Sequence, residues 1–188
     1  SLRNNAIKQF PSIVFTLEKL NYLNLSDNRI DEIDNQSFSN LMTIEKVDLS
    51  YNSINKISSS KIDYSKCENL ILKGNKLEEF PNAIKYVKTL NQLNLSENNI
   101  SSLQDETFAE LENLEELDLS FNNLTYLPYS LGNLTKLKKL NLSGNKISSL
   151  PKEFENLVSL EVLELEGNPI SRVPLEINTQ GVSGIINY

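Results

Sequence analysis

An asparagine recurs along this chain at an almost fixed interval. Asn5, Asn28, Asn52, Asn75, Asn98, Asn122, Asn145 and Asn168 are separated by 23 or 24 residues throughout. Five of them lie in near-copies of one string: "LNLSDNRI", "VDLSYNSI", "LNLSENNI", "LDLSFNNL" and "LNLSGNKI". Such regularity means that one small unit is repeated. A unit of about two dozen residues cannot bury its own apolar face; it gains a core only when neighbours stack against it. The chain is therefore expected to be an elongated stack of coils.

Each complete unit follows L-x-x-L-x-L-x-x-N-x-L, as in Leu90, Leu93, Leu95, Asn98 and Ile100, or Leu114, Leu117, Leu119, Asn122 and Leu124. Seven units are complete, and Leu2 to Ile7 form the tail of another. The L-x-L alternation has period two, so it predicts a short strand with one buried face. Stacked units then give a continuous parallel sheet. The asparagine stands where the strand turns away, and its amide offers two donors and an acceptor to the backbone groups freed there. The template resembles that of leucine-rich repeat proteins over nearly the whole chain. That resemblance implies an α/β solenoid, a curved right-handed horseshoe segment.

After each asparagine comes the outer side. Four units read close to L-x-x-L-P-x-x-I/L-x-x-L-x-x-L, for example "LTYLPYSLGNLTKL". Proline marks a turn, and apolar residues three apart suit a short helix or 3-10 turn. Two units instead carry one extra residue and a phenylalanine, Phe38 and Phe108. The segment from Ile54 to Cys67 lacks the proline and places Ser59, Ser60 and Lys61 in apolar slots, so it is expected to be irregular. Strands stack at about 4.8 Å, whereas helix axes need roughly 8–10 Å. The sheet must line the inside of an arc.

The repeat stops near residue 170, which divides the chain into an array, 1–170, and a capping segment, 171–188. Val182, Ile185 and Ile186 suggest a short capping helix over 180–188. Pro174, Glu176, Ile177, Gly181, Ile185, Ile186 and Tyr188 resemble the C-terminal end of intracellular arrays of the Roco and Ras-suppressor-like type. That resemblance implies a scaffold or regulatory part of a larger cytoplasmic signalling protein, with a GTPase domain beyond it in the Roco case. The front end shows no cap, so the reading is of an excerpt. The alternative is the extracellular ligand-binding ectodomain of a receptor or adhesion protein.

Composition narrows the chemistry. A net charge of −7 opposes nucleic-acid binding, which needs a basic face. There is no histidine, hence no usual general base or metal ligand. The single Cys67 fills a leucine slot and reads as a small buried apolar group. An open arc gives no enclosed pocket for a carboxylate pair, and no loop dense in oxygen ligands stands ready for calcium. The expectation is no enzyme, no cofactor, no metal and no membrane insertion. Seven N-x-S/T sequons, including those at Asn24, Asn94 and Asn141, read mainly as by-products of the repeat.

Function is then expected on the concave face, by binding a protein or peptide, with contact to other domains of a longer chain as a further partner reading. The strand positions between the leucines, and those beside the anchor asparagine, supply the candidates: Tyr22, Asn24, Asp27, Lys46, Asp48, Tyr51, Ile71, Glu97, Glu116, Asp118, Phe121, Lys139, Glu161 and Glu164. The serines of the "LNLS" strings, Ser26, Ser50, Ser96, Ser120 and Ser143, are expected to be exposed there as well. Tyr22, Tyr51, Ile71 and Phe121 either anchor a partner or pack sideways on their neighbours. Glu115, Glu116, Asp118, Glu161, Glu164 and Glu166 around Lys138 and Lys139 either receive a basic segment or form a self-compensating face.

Overall fold

The computed structural model describes every residue except Glu18, 59–64 and 172–188. Seven strands form one parallel sheet in the order β1 (Tyr22–Asn24), β3 (Lys46–Asp48), β5 (Asn69–Ile71), β6 (Gln92–Asn94), β7 (Glu116–Asp118), β8 (Lys139–Asn141) and β9 (Val162–Glu164). All pair in register, so Leu23, Val47, Leu70, Leu93, Leu117, Leu140 and Leu163 form one interior row. These and the second leucines of each unit are almost fully buried. The side chains between them face the other way and cover the concave surface. This is the leucine-rich repeat solenoid that the template predicts.

The anchor asparagines are what let each strand end so abruptly. The side-chain amide of Asn98 donates to the carbonyls of Leu72, Leu95 and Ser96 at 3.0, 3.0 and 3.1 Å, and its Oδ1 accepts from the Leu77 N–H at 3.1 Å. Asn52, Asn75, Asn122 and Asn145 repeat the arrangement. Each amide thereby spans its own unit and the preceding one. Asn5 differs: it is exposed, and among the described residues its amide donates to Leu2 and Arg3 alone.

One residue before each anchor the chain takes a left-handed turn. Asn4, Asp27, Tyr51, Gly74, Glu97, Phe121, Gly144 and Gly167 all have φ between 53° and 75°. Glycine is strain-free there, yet five of the eight positions hold other residues. The turn is thus dictated by the coil and not by the local residue.

On the convex side, 3-10 turns occupy Ser12–Thr16, Ile84–Tyr86, Tyr129–Asn133 and Lys152–Asn156, in the four units with the proline pattern. The two phenylalanine-bearing units diverge. Asn35–Leu41 is an α-helix, α1, whose first turn is capped by Asp34 accepting from the Ser37 N–H at 2.8 Å. The matching unit has Gln104 in place of Asp34 and forms successive turns without a regular helix. Both phenylalanines are buried, and Phe108 meets Phe80 edge-on at 5.7 Å. A second, small parallel sheet joins β2 (Glu32–Ile33) to β4 (Lys56–Ile57) on the flank. The alternation pattern gives no hint of it. The part of the Ile54–Cys67 segment that is expected to be irregular, and the expected capping helix, fall on residues outside those described.

The concave face as candidate site

The strands that carry the site are only three residues long, because the leucine row and the asparagine ladder fix each strand at both ends. Short strands have a consequence for the serines. Ser26, Ser50, Ser96 and Ser120 are buried, 1–8% exposed, and not on the open face as the alternation suggests. The chain has already left the strand direction at these residues. Each hydroxyl turns inward and donates to the residue two before it: Ser26 to Asn24 at 2.8 Å, Ser50 to Asp48 at 2.6 Å, Ser96 to Asn94 at 2.7 Å and Ser120 to Asp118 at 2.6 Å. Ser143 is half-buried, and its N–H donates to Asn141 at 3.0 Å.

These contacts recur down one column of the face, which is linked across strands at two places. Asn24, Asp48, Asn94, Asp118 and Asn141 each turn one carboxylate or amide oxygen to the serine turn, whereas the units of Ile71 and Glu164 carry Lys73 and Glu166 in place of the serine. The free Nδ2 of Asn24 donates to Asp48 at 3.2 Å, and Asn94 donates to Asp118 at 3.2 Å. The asparagines of three sequons, Asn24, Asn94 and Asn141, are thus engaged in the strand-end turn. In the neighbouring column Asn69 donates to Gln92, and Lys139 donates to Glu116 at 2.9 Å.

A shallow cavity of about 350 Å³ lies over β3 to β9. Among the sequence-predicted residues it brings together Lys46, Ile71, Glu116, Asp118, Lys139 and Glu164. Tyr22, Asn24, Asp27, Asp48, Tyr51, Glu97, Phe121 and Glu161 are placed outside it. The alternation places Asn69, Gln92, Asn94, Asn141 and Val162 on the same face without selecting them as binding residues, and they line the same cavity. They occupy the same strand slots as the residues it selects, and that shared slot is the signal that could find them.

The exposed aromatics are held from the side. Tyr51 lies against Gly74, whose ideal Cβ would come within 2.5 Å of the ring, and Phe121 lies against Gly144 at 2.7 Å. Each ring thus packs on the glycine of the following unit while remaining 45% and 61% exposed. Tyr22 is 48% exposed, with the Lys46 ammonium 5.4 Å from its ring centre and its hydroxyl accepting from Asn24 at 2.9 Å. Ile71 is half-buried.

Four cations of the face are paired with carboxylates, while Lys46 lies over the Tyr22 ring. Arg3 meets Asp27 at 2.8 Å, Lys73 meets Glu97 at 3.1 Å, Lys138 meets Glu115 at 2.7 Å and Lys139 meets Glu116 at 2.9 Å. Hydrogen bonding to Glu115 and Glu116 raises Lys138 and Lys139 above the usual lysine range, with added attraction from Glu161. Both stay charged at neutral pH. Cys67 is buried and burial pushes its thiol up to about 12, so it is not a nucleophile. Among the described residues no three metal-ligating side chains come together, and no helix is long and apolar enough to cross a membrane.

Comparison with known proteins agrees with the architecture. The leucine rich repeat family model matches residues 1–54, 18–77, 65–124, 88–146 and 126–170. The chain is similar to keratocan of Bos taurus, 33% identical over 124 residues, which cover 64% of this chain and 34% of keratocan. It is also similar to osteomodulin of Rattus norvegicus, 37% identical over 128 residues, covering 65% of this chain and 28% of that protein. The match thus spans between 28% and 34% of the length of these relatives. Among solved structures, a leucine-rich repeat protein of Leptospira interrogans superposes with a TM-score of 0.82 at 31% identity, over 93% of this chain and 44% of that one. Neither the relatives nor that neighbour supports the Roco and Ras-suppressor-like resemblance of the tail. The chain belongs to the leucine-rich repeat family.

Proposed function

We propose that this chain is a non-catalytic recognition module that binds a protein or peptide partner on its concave face. The observation that carries this reading is a wide sheet face with an open cavity of about 350 Å³ over it, on which no buried side-chain polar atom among the described residues lacks a partner. Such a face is held by its strands and strand-end turns, so binding costs little reordering. An open cavity without a shielded acid–base pair or a metal cluster supports recognition over turnover. The same net charge of −7 disfavours nucleic acid as the partner.

Two settings compete for the module. The scaffold reading, with a GTPase domain beyond it, rests on the 174–188 tail. The ectodomain reading draws support from the relatives, since keratocan and osteomodulin are secreted matrix proteins. We take the extracellular setting as the better supported of the two.

Selection of a random-peptide library against the whole chain tests the binding face. Selected peptides are expected to lose binding to Ile71→Asp or Gln92→Lys and to keep it for Val158→Asp, which is an exposed convex position. Alanine variants of Tyr22, Tyr51, Ile71 and Phe121 then rank the anchors. Peptides that ignore the concave changes but lose Val158→Asp would overturn the proposal.

A further inference from the structure

The whole net charge of this chain resides on one surface. The seven strands, each counted from the residue after its first leucine through the left-handed turn, carry eleven carboxylates and four lysines. That imbalance equals the −7 of the entire sequence, and the remaining residues carry equal numbers of acids and bases. The segregation is not required by folding. Every strand position on this face is free of the leucine row and the asparagine ladder.

Within that face the charges are unevenly matched. Lys73, Lys138 and Lys139 each have a carboxylate partner, and Lys46 sits over Tyr22. Glu161, Glu164 and Glu166 on and beside β9 have no ion-pair partner among the described residues. Asp118, two strands away from Glu164 in the same register column, is bound among the described residues by the neutral donors of Asn94 and Ser120. Two strand steps put this pair roughly 10 Å apart, with Asn141 between them. The cavity floor there also offers Ile71 and Val162, which are half-buried apolar groups. The aliphatic stem of a lysine or arginine lies on such a floor while its head reaches the carboxylates.

We propose that the concave groove over β5 to β9 receives an extended protein segment bearing lysine or arginine side chains. This rests on the concave face being the binding face. The apolar floor and flanking carboxylates fit the two parts of a long basic side chain. The paired lysines leave the last strands as the place where its head docks. A surface with this field also speeds the approach of a basic partner, and does so less at high salt.

Three synthetic peptides of about a dozen residues test the claim: alternating Lys-Thr, Glu-Thr and Ser-Thr, followed by fluorescence anisotropy with the whole chain. The Lys-Thr peptide is expected to bind, to weaken as salt rises, and to weaken about tenfold or more with the double variant Glu161→Lys/Glu164→Lys. The convex pair Glu153→Lys/Glu155→Lys changes the net charge equally and is expected to leave affinity nearly unchanged. Equal loss from both pairs would reduce the effect to bulk attraction and overturn the proposal. So would Lys-Thr binding that ignores the Glu161/Glu164 reversal, or no Lys-Thr binding at all. Binding of Glu-Thr or Ser-Thr alone, abolished by Ile71→Asp, would overturn the basic partner yet leave the concave recognition face standing. Circular dichroism of each variant confirms that it folds.

Discussion

Asn98→Ala is the sharpest test of what holds this array together. The substitution removes four hydrogen bonds, but the carbonyls it abandons are not left bare. Leu72 O keeps the amide of Asn75 at 2.9 Å, Leu95 O keeps that of Asn122 at 3.0 Å, and Ser96 O keeps the N–H of Gly74 at 2.9 Å. Only the N–H of Leu77, a residue 2% exposed, loses its single acceptor. One orphaned buried donor costs about 1–3 kcal/mol, and three carbonyls each reduced to one donor add a smaller amount. The expected loss is therefore about 2–3 kcal/mol. Asn5→Ala, at an exposed site, is expected to cost less than about 0.5 kcal/mol. Urea denaturation followed by far-ultraviolet circular dichroism measures both, and an unchanged m-value keeps the comparison valid.

The shared carbonyls make a second, stricter demand. Asn98 and Asn122 both bind Leu95 O, which has no other donor among the described residues. Removing both leaves that carbonyl bare, so the double variant is expected to lose about 1–2 kcal/mol beyond the sum of the singles. Asn52 and Asn122 share no carbonyl, and that pair is expected to be additive within about 0.5 kcal/mol. Equal losses at Asn5 and Asn98, or equal coupling in the two pairs, would refute the ladder as the source of cohesion.

Three further outcomes follow from particular contacts. Gly144→Ala places a Cβ against Phe121 in a left-handed turn, whereas Gly167→Ala meets nothing closer than 3.4 Å; the first is expected to lose more stability in thermal melts, and the excess to vanish in a Phe121→Ala background. The Cys67 thiol, pushed up to about 12 by burial, keeps in the folded state a proton that the unfolded chain releases near its ordinary pKa of about 8.5. Its contribution is full below that value and is lost as pH rises toward 12, so Cys67→Val is expected to flatten part of the alkaline stability decline in parallel denaturations. Asp34→Ala removes the cap of α1 and is expected to cost about 1 kcal/mol, while Gln104→Asp supplies the missing cap and is expected to raise helical circular dichroism and stability by a similar amount.

The columns that face inward are legible because stacking gives every unit the same interior. Leu93 must meet Leu70 and Leu117, and Asn98 must reach the carbonyl of Leu72, so the same residue types return every 23 or 24 positions. The outer side is less legible because its solvent-facing residues answer to local chemistry. Phe38 and Phe108 fill equivalent buried slots, yet only the unit with Asp34 at its entry becomes a helix. The burial of Ser26, Ser50, Ser96 and Ser120 escapes a period-two reading because the strands last only three residues and the chain bends before the alternation can continue.

The same division explains where function can be written in such a chain. Positions held by the leucine row and the asparagine ladder cannot vary without cost to the stack. The slots between them meet no such demand, as shown by one column that holds Tyr22, Lys46, Asn69, Gln92, Glu116, Lys139 and Val162 in perfect register. A column this diverse contributes little to cohesion and is free to encode a surface. That the entire net charge collects among these unconstrained slots, while the rest of the sequence is neutral, is the least expected property of a face that packing alone would leave indifferent to sign. Charge gathered where folding does not need it is most simply accounted for by what the face must bind.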